Sequence, residues 1–329
     1  MIKKKTIFRL AKIVVPLVLG LFFIYLTYRD TSVEERQTIV SYLKQTPEWV
    51  VLLSILIGLC SHVSRSIRWR YMLIPMGYKT NPINNFLSIM VAYLANLGIP
   101  RSGEVLRATT IATYEKVPFP IAIGNIVAER IIDLLMLGIF ILIALVLNVE
   151  VIGQLLVENF KSWIISTLII SIVILFLYQL TRYFKKKIKT KKANQIRNFY
   201  NQFIQGVQIL LQMRNKLYYI LHSVFIWIMY FLMFYVVKFA MHDTYNMSLD
   251  ILLPGFIIGV LTIATTNGGL GLYPLAVGTY FISFGISRES SFAFGWIVWT
   301  IQTVLIVVFG GLSFGILPLV NKSLTSKSN

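Results

Sequence analysis

The sequence predicts an all-α polytopic membrane protein, built from six transmembrane helices and two re-entrant helical hairpins in an inverted repeat. Composition is the first reason: of 329 residues, 57% are hydrophobic and 13% charged, against roughly 45–50% and about 25% in an ordinary soluble domain. Too few polar groups remain to cover a water-soluble globule of this size. The second reason is length. A helix needs about 20 apolar residues to cross the hydrocarbon core, and residues 7–28, 48–68, 119–147, 161–181, 217–240 and 290–318 each supply such a run. The third reason is a pair of apolar regions, 83–116 and 250–286, that break at their centres on glycine and proline or on a glycine-rich run.

Taken in order, Lys3-Lys4-Lys5 precede an apolar run over 13–28 that ends in Tyr28-Arg29-Asp30 with no small-residue cleavage site. This reads as an uncleaved anchor. Basic loops stay on the cytoplasmic side. By that rule the N-terminal lysines, the Arg65-to-Lys79 segment, the Arg182-to-Lys216 segment and the tail with Lys322 and Lys327 are cytoplasmic. The segment from Arg182 to Lys216 holds ten basic residues and no acidic one, and is expected to be a connector lying as an interfacial helix. The neutral or acidic loops 29–48, 148–160 and 241–250 are external. Both termini are then cytoplasmic, and the whole chain, 1–329, is one membrane domain of the cytoplasmic (inner) membrane.

The first broken region runs as an apolar helix to Leu97, then Gly98-Ile99-Pro100-Arg101-Ser102-Gly103, then a helix from Glu104 to Glu115. The second runs from Ile251 to Ala264, through Thr265-Thr266-Asn267-Gly268-Gly269-Leu270-Gly271, and on from Tyr273 to Phe284. Each arm gives only about 20 Å of helix, too short for a ~30 Å core. Non-helical backbone at membrane depth needs protein or a wet cavity beside it. Two re-entrant hairpins follow, one bounded by cytoplasmic loops and one by external loops; the alternative is two pairs of ordinary spans joined by tight turns. Residues 48–147 and 217–318 thus form two half-repeats of opposite orientation, the sequence pointer to a transporter-like site between halves.

Charges sit where lipid is expected. Arg101, Glu104 and Arg107 lie at the first hairpin tip, and Glu129, Arg130 and Asp133 lie well inside the third span. Each unpaired charge at that depth costs at least ~2.5–3.5 kcal/mol, so these groups pair or line a wet cavity. The expected pairs are Arg101 with Glu129 or Asp133, and Arg107 with Glu104. A free arginine would suit a lipid phosphate, because guanidinium presents a planar donor fork. Arg65 is a third candidate for that role. Arg68 and Trp69 read as interface anchors.

Other chemistry finds little support. The charge asymmetry between loops follows membrane topology rather than nucleic-acid binding. The single cysteine, Cys60, excludes an intramolecular disulfide or a multi-cysteine metal site and is expected to be buried. His62, His222 and His242 are scattered; His62 is expected to be hydrogen-bonded. No metal, cofactor or catalytic motif emerges, and the Gly268-Gly269-Leu270-Gly271 tip lacks the Lys-Ser/Thr of a phosphate loop. Close packing of small residues accounts for it.

Arg65-x-x-Arg68-Trp69, the tip Asn96-Leu97-Gly98-Ile99-Pro100-Arg101-Ser102-Gly103-Glu104-Val105-x-Arg107, and Glu129-Arg130-Ile131-x-Asp133 resemble the membrane domain of the lysylphosphatidylglycerol synthase transmembrane family, over about 10–318. The resemblance implies flippase-like movement of phospholipids such as aminoacylated phosphatidylglycerol. Some members carry a soluble aminoacyl-transferase domain; none follows Asn329, so the translocating half alone is implied. The family's second hairpin usually reads Pro-x-x-Gly-Gly-Leu-Gly and then a glutamate. Here Thr265 replaces that proline and Tyr273-Pro274 stand near that glutamate.

The functional expectation is a lipid translocase. Arg101, Arg107 and Arg65 bind a lipid phosphate, Glu104, Glu129, Arg130 and Asp133 form a charge network, and Thr266, Asn267, Gly268, Gly269, Gly271 and Tyr273 form the second tip. Partners are anionic or phosphate-bearing lipids, with a homo-oligomer or a separate lipid-modifying enzyme as further candidates. Two alternatives stand beside it: an enzyme acting on a lipid phosphate with Glu104 or Asp133 as base, and a non-transporting subunit of an envelope complex.

Overall fold

The computed structural model describes residues 33–99, 102–147, 191–266, 268–269 and 271–321. The spans expected at 7–28 and 161–181, and the residues Arg101 and Asn267, lie outside the described residues. Among the described residues the chain is helical, with no strand.

The first described helix, α1 (Val33–Gln45), occupies what the sequence reading assigned to an external loop. Its mixed charges hide an apolar edge, and Tyr42 and Leu43 pack on the central core. Next, α2 (Glu48–Leu73) continues through a 3₁₀ turn at Ile74–Met76, one to two turns beyond the expected end at residue 68. Of the arginines near that end, Arg65 and Arg68 are bonded inside the protein, as shown below.

The first hairpin is α3 (Pro82–Gly98) and α4 (Ser102–Glu115). Asn81 caps α3 by accepting from the Ile83 amide at 2.9 Å, with Pro82 in the first turn, where its missing N–H matters least. The arms run antiparallel. Gly103 lies so close to α3 that a Cβ would strike the Ala92 carbonyl oxygen, while the Asn96 side chain accepts from the Gly103 amide at 2.7 Å. At the other end, Asn81 and Asn84 both bond the Glu115 carboxylate.

The long helix α5 (Phe119–Leu147) follows, and α6 (Lys191–Gln212) packs against it. The fit depends on facing glycines: a Cβ on Gly124 would strike the Phe203 carbonyl oxygen, and one on Gly206 would lie 2.5 Å from that of Ile121. The basic connector therefore contains a helix, as read, but one seated directly on the protein. Helix α7 (Lys216–Val236) runs antiparallel to α2, bringing Trp49 to Phe239 at one end and Tyr71 to Tyr218 at the other.

After a 3₁₀ turn at Val237–Ala240 and the short α8 (His242–Tyr245) comes the second hairpin, α9 (Leu249–Thr265) and α10 (Leu272–Ile282). Its tip turns through Gly268, Gly269 and Gly271, with φ of +66°, +79° and +69°. These left-handed conformations penalise any residue with a Cβ, so the glycines are required by the turn and not only by close packing. The final helix, α11 (Arg288–Val320), holds 33 residues, or about 50 Å of length. Its start is tied to α8 by Ser287 and Ser290, whose hydroxyls donate to the Asp243 carboxylate at 2.5 and 2.8 Å. Those hydrogen bonds hold the exposed Asp243 below the usual carboxylate range.

Both hairpins pack on α11, from opposite ends. The base of the first meets its C-terminal end, where Asn84 and Asn321 exchange hydrogen bonds of 2.9 and 2.8 Å. The second packs on its N-terminal half, with a Cβ on Gly295 reaching Pro274 and one on Gly278 reaching Phe292. The tips meet midway: Gly268 lies against Leu97, and the Trp299 indole of α11 donates to the Gly268 carbonyl at 2.9 Å. An aromatic core of Phe234, Phe256, Phe281 and Phe294 fixes the second hairpin between α7 and α11. A separate core around Trp69, Ile111, Ile126 and Tyr219 fixes the first among α2, α5 and α7.

Among the described residues four helical stretches are long and apolar enough to cross a membrane: Glu48–Met76, Phe119–Leu147, Lys216–Ala240 and Arg288–Val320. Their outward faces carry Leu52, Leu56, Leu134, Leu142, Val146 and Leu217, all well exposed. Apolar surface on this scale needs a lipid or protein partner.

Candidate functional site

A network of arginines and carboxylates joins α2, α4 and α5 beneath the hairpin tips. Glu129 and Asp133 stand four apart on one face of α5, and α2 runs antiparallel beside them, so that Arg65 meets Asp133 and Arg68 spans both acids. Arg68 donates to Asp133 at 2.9 Å and to the Ser223 hydroxyl at 3.0 Å, with Glu129 at 3.7 Å. Arg65 donates to Asp133 at 3.1 Å and to the Tyr230 hydroxyl at 3.2 Å. From α4, Arg107 donates to Glu129 at 2.5 Å and lies 3.8 Å over the Trp69 ring, a desolvated cation–π contact.

The pairing corrects several expectations. Arg107 binds Glu129, not Glu104; Glu104 pairs instead with Arg130 at 3.3 Å, on the more exposed edge. Arg68 and Trp69, read as interface anchors, are wholly buried. Helical spacing gives the depth of a charge but not which neighbouring helix covers it. Cys60 is exposed, facing outward beside Leu56 and Val63 rather than inward. The buried His62 has no hydrogen-bond partner on Nδ1 among the described residues; its ring instead packs on Tyr93, with centroids 4.9 Å apart. His222, by contrast, is bonded to the Ser64 hydroxyl at 2.8 Å.

Among the described residues four arginines (Arg65, Arg68, Arg107 and Arg130) face three acids (Glu104, Glu129 and Asp133), which leaves one positive charge. That excess borders open space. A cavity of about 360 Å³ lies between the two hairpins, with Arg65, Arg130, Asp133, His62, Tyr93 and Tyr230 at its polar end. Its remaining wall, drawn from α2, α5, α7, α9, α10 and α11, is mainly apolar and aromatic and includes Trp227, Phe256 and Tyr273, with Ser61 and Gln302 as polar exceptions. A smaller recess of about 10 Å³ lies between α3, α4 and α5, walled by Arg65, Arg107, Arg130, Glu104 and Asn96. It has room for about one water. Arg65, Tyr93 and Arg130 belong to both.

The second tip contributes structure more than charge. The Thr266 hydroxyl donates to the Thr262 carbonyl at 2.6 Å and accepts from the Gly269 amide at 3.1 Å. Tyr273 is buried, packed on Gly259, and reaches the large cavity. Among the described residues no cluster of His, Cys, Asp and Glu is arranged to hold a metal ion. The residues that the sequence reading passed over are Arg68, Tyr93, Tyr230 and Ser223. Only Arg68 carried a visible signal, since a second arginine on the face of Arg65 has to be neutralised somewhere.

The charge motifs that build this network are the ones that carried the sequence resemblance, and comparison with known families agrees. The family described as the lysylphosphatidylglycerol synthase TM region matches residues 13–310. The chain belongs to that family. It is thus a multi-pass membrane protein of a family associated with lipids. It is also similar to a UPF0104 membrane protein of Methanocaldococcus jannaschii, 34% identical over 133 residues. That match covers 40% of this chain and 37% of the archaeal protein. No solved structure matches.

Proposed function

We propose that the protein is a flippase-like transporter that moves a phosphate-bearing lipid, a phospholipid or a polyprenyl phosphate, between the leaflets of the cytoplasmic membrane. The observation that carries this reading is the unbalanced positive charge of the described network, set at the polar end of a cavity whose other walls are mainly apolar. Such a cavity suits an amphiphile: a phosphate against Arg65 and Arg130, with the apolar wall against the chains or the glycerol backbone. Arg107 contributes from the small recess. Arg101, which follows the first arm of the hairpin, is assigned the same role on its sequence position alone.

In this reading residues 48–147 and 217–318 are half-repeats of opposite orientation, and the hairpins dip from opposite membrane faces with both termini cytoplasmic. The opposed packing of the hairpins on α11 supports it, as does the repeated order of long helix, hairpin and long helix. Alternating access then consists of opening the contact between Leu97 and Gly268 on one side of the cavity or the other. Group transfer is less well supported, because Asp133 is held by two guanidiniums and makes a poor base. A purely structural role leaves the cavity between the hairpins without a purpose.

The test is a flip assay in proteoliposomes with fluorescent or dithionite-accessible lipid probes. Arg65→Ala is expected to slow flipping by about tenfold or more, the loss of a charge-assisted contact worth at least ~1.4 kcal/mol. Arg65→Lys, which keeps the charge, controls for folding and is expected to retain part of the rate. Equal rates for wild type and Arg65→Ala would remove the proposed role.

A further inference from the structure

The large cavity says more about its ligand than that it bears a phosphate. We infer that it takes a lipid whose phosphodiester carries an uncharged, hydroxyl-bearing headgroup, such as a glycerol or a sugar, and discriminates against cationic headgroups. This inference rests on the transport reading and specifies its substrate.

The first argument is charge. Counted over the cavity wall, Arg65 and Arg130 face one acid, Asp133; counted over the described residues of the network, the excess is again one positive charge. One phosphodiester anion neutralises it. A headgroup that also carries an ammonium needs a carboxylate of its own, because an unpaired charge away from water is strongly disfavoured. Among the described residues of the wall, Asp133 is the sole carboxylate, and both its oxygens are already engaged: Oδ1 by Arg68, and Oδ2 by Arg65 with Arg130 at 3.8 Å. The Glu129 carboxylate is enclosed by Arg107 and Arg68 and does not reach the cavity.

The second argument is the neutral polar groups. His62 is buried, lines the cavity, and has an Nδ1 with no hydrogen-bond partner among the described residues. Buried polar atoms are almost always satisfied, and a neutral imidazole nitrogen can accept from a hydroxyl or donate to one. The Tyr93 and Tyr230 hydroxyls, 3.4 Å apart, and the half-buried Gln302 on α11 complete a set of uncharged groups that can both donate and accept. The hydroxyls of a polyol match such a set; an alkylammonium, which only donates and carries charge, does not. The volume of about 360 Å³ is at the small end of the roughly 300–1,000 Å³ typical of small-molecule sites, which suits a headgroup of glycerol or monosaccharide size.

The experiment is a competition for the purified full-length protein in detergent, read by native mass spectrometry. Equimolar phosphatidylglycerol, phosphatidylmethanol, phosphatidylethanolamine and lysyl-phosphatidylglycerol are offered with matched acyl chains. Phosphatidylglycerol is expected to be retained about tenfold over both amine-bearing lipids, and several-fold over phosphatidylmethanol, which has the charge without the hydroxyls. His62→Ala is expected to abolish the preference over phosphatidylmethanol while keeping the preference over the amines. Gln302→Glu, which adds a carboxylate at a half-buried position, is expected to shift retention towards the amine-bearing lipids. Equal or better retention of lysyl-phosphatidylglycerol by wild type overturns the charge argument and leaves transport of a phosphate-bearing lipid standing. Equal retention of phosphatidylmethanol and phosphatidylglycerol overturns the hydroxyl argument. Retention of no lipid, together with flip rates unaffected by Arg65→Ala, overturns the transport reading itself.

Discussion

At Arg68 the guanidinium is closed in by Asp133, Ser223, Glu129 and the Tyr219 ring. No part of the residue is exposed. Removing it leaves Asp133 to Arg65 and the more distant Arg130, and leaves Glu129 to Arg107 alone. Truncating one partner of a buried pair costs about 3–5 kcal/mol, and Arg68→Met is expected to destabilise by that amount in reversible unfolding from mixed micelles. Arg130 is a useful contrast. Its side chain is 47% exposed and its contact to Glu104 is 3.3 Å, so Arg130→Met is expected to lose no more than about 1 kcal/mol. If the two losses prove alike, the division between a structural core and a cavity-facing edge is wrong. The sequence reading identified Arg65, Arg107, Glu129 and Asp133 because charges in an apolar run are conspicuous. It missed the role of Arg68 and mispaired Arg107, because partner choice depends on which helices adjoin, and spacing along one helix carries no such information.

The hairpins were legible as elements for a simple reason: helix-breaking residues at the centre of apolar runs too short to span have few other uses. The first and second arms begin and end within a few residues of the positions read from the sequence, since capping residues such as Asn81 and the glycines at the second tip mark them locally. What could not be read was how tightly the arms close. Gly103 reads as part of a loop, yet it is the point where α4 crosses α3 at backbone contact, and a methyl group there would collide with the Ala92 carbonyl. Gly103→Ala is therefore expected to destabilise by about 1–3 kcal/mol through overpacking. Gly138 on α5 has nothing within 4 Å of the added Cβ, so Gly138→Ala is expected to be neutral or to stabilise by up to about 1 kcal/mol. Melting temperatures of the two variants in the same detergent compare them directly. Similarly, α1 reads as a loop because its polar and charged residues outnumber its apolar ones, and its helical form rests on the packing of Tyr42 and Leu43 against distant residues.

For the molecule as a whole, the central question is how deep the tips lie. The hairpins reach the middle of α11 from its two ends and meet at Leu97 and Gly268, so neither tip passes the other. If α11 spans the bilayer, each tip stops near the midplane and each base stays on its own side, which is the arrangement that the loop charges and the short arms suggested independently. Two pairs of ordinary spans would instead deliver each tip to the face opposite its base. Because Cys60 is the single cysteine in the chain and is exposed, Cys60→Ser gives a clean background for placing labels. Lys79→Cys at the base of the first hairpin is expected to react with a membrane-impermeant maleimide only from the cytoplasmic side, and Ser283→Cys at the base of the second only from the outside. Ile99→Cys and Leu272→Cys, at tip positions 68% and 43% exposed, are expected to react about tenfold more slowly from either side, since non-helical backbone at membrane depth is reached only through a cavity. Rapid labelling of Ile99→Cys from the outside, at the rate of Ser283→Cys, means that the first hairpin crosses completely. The cavity beneath the tips would then open to one face only, and alternating access through the contact between Leu97 and Gly268 would have to be abandoned.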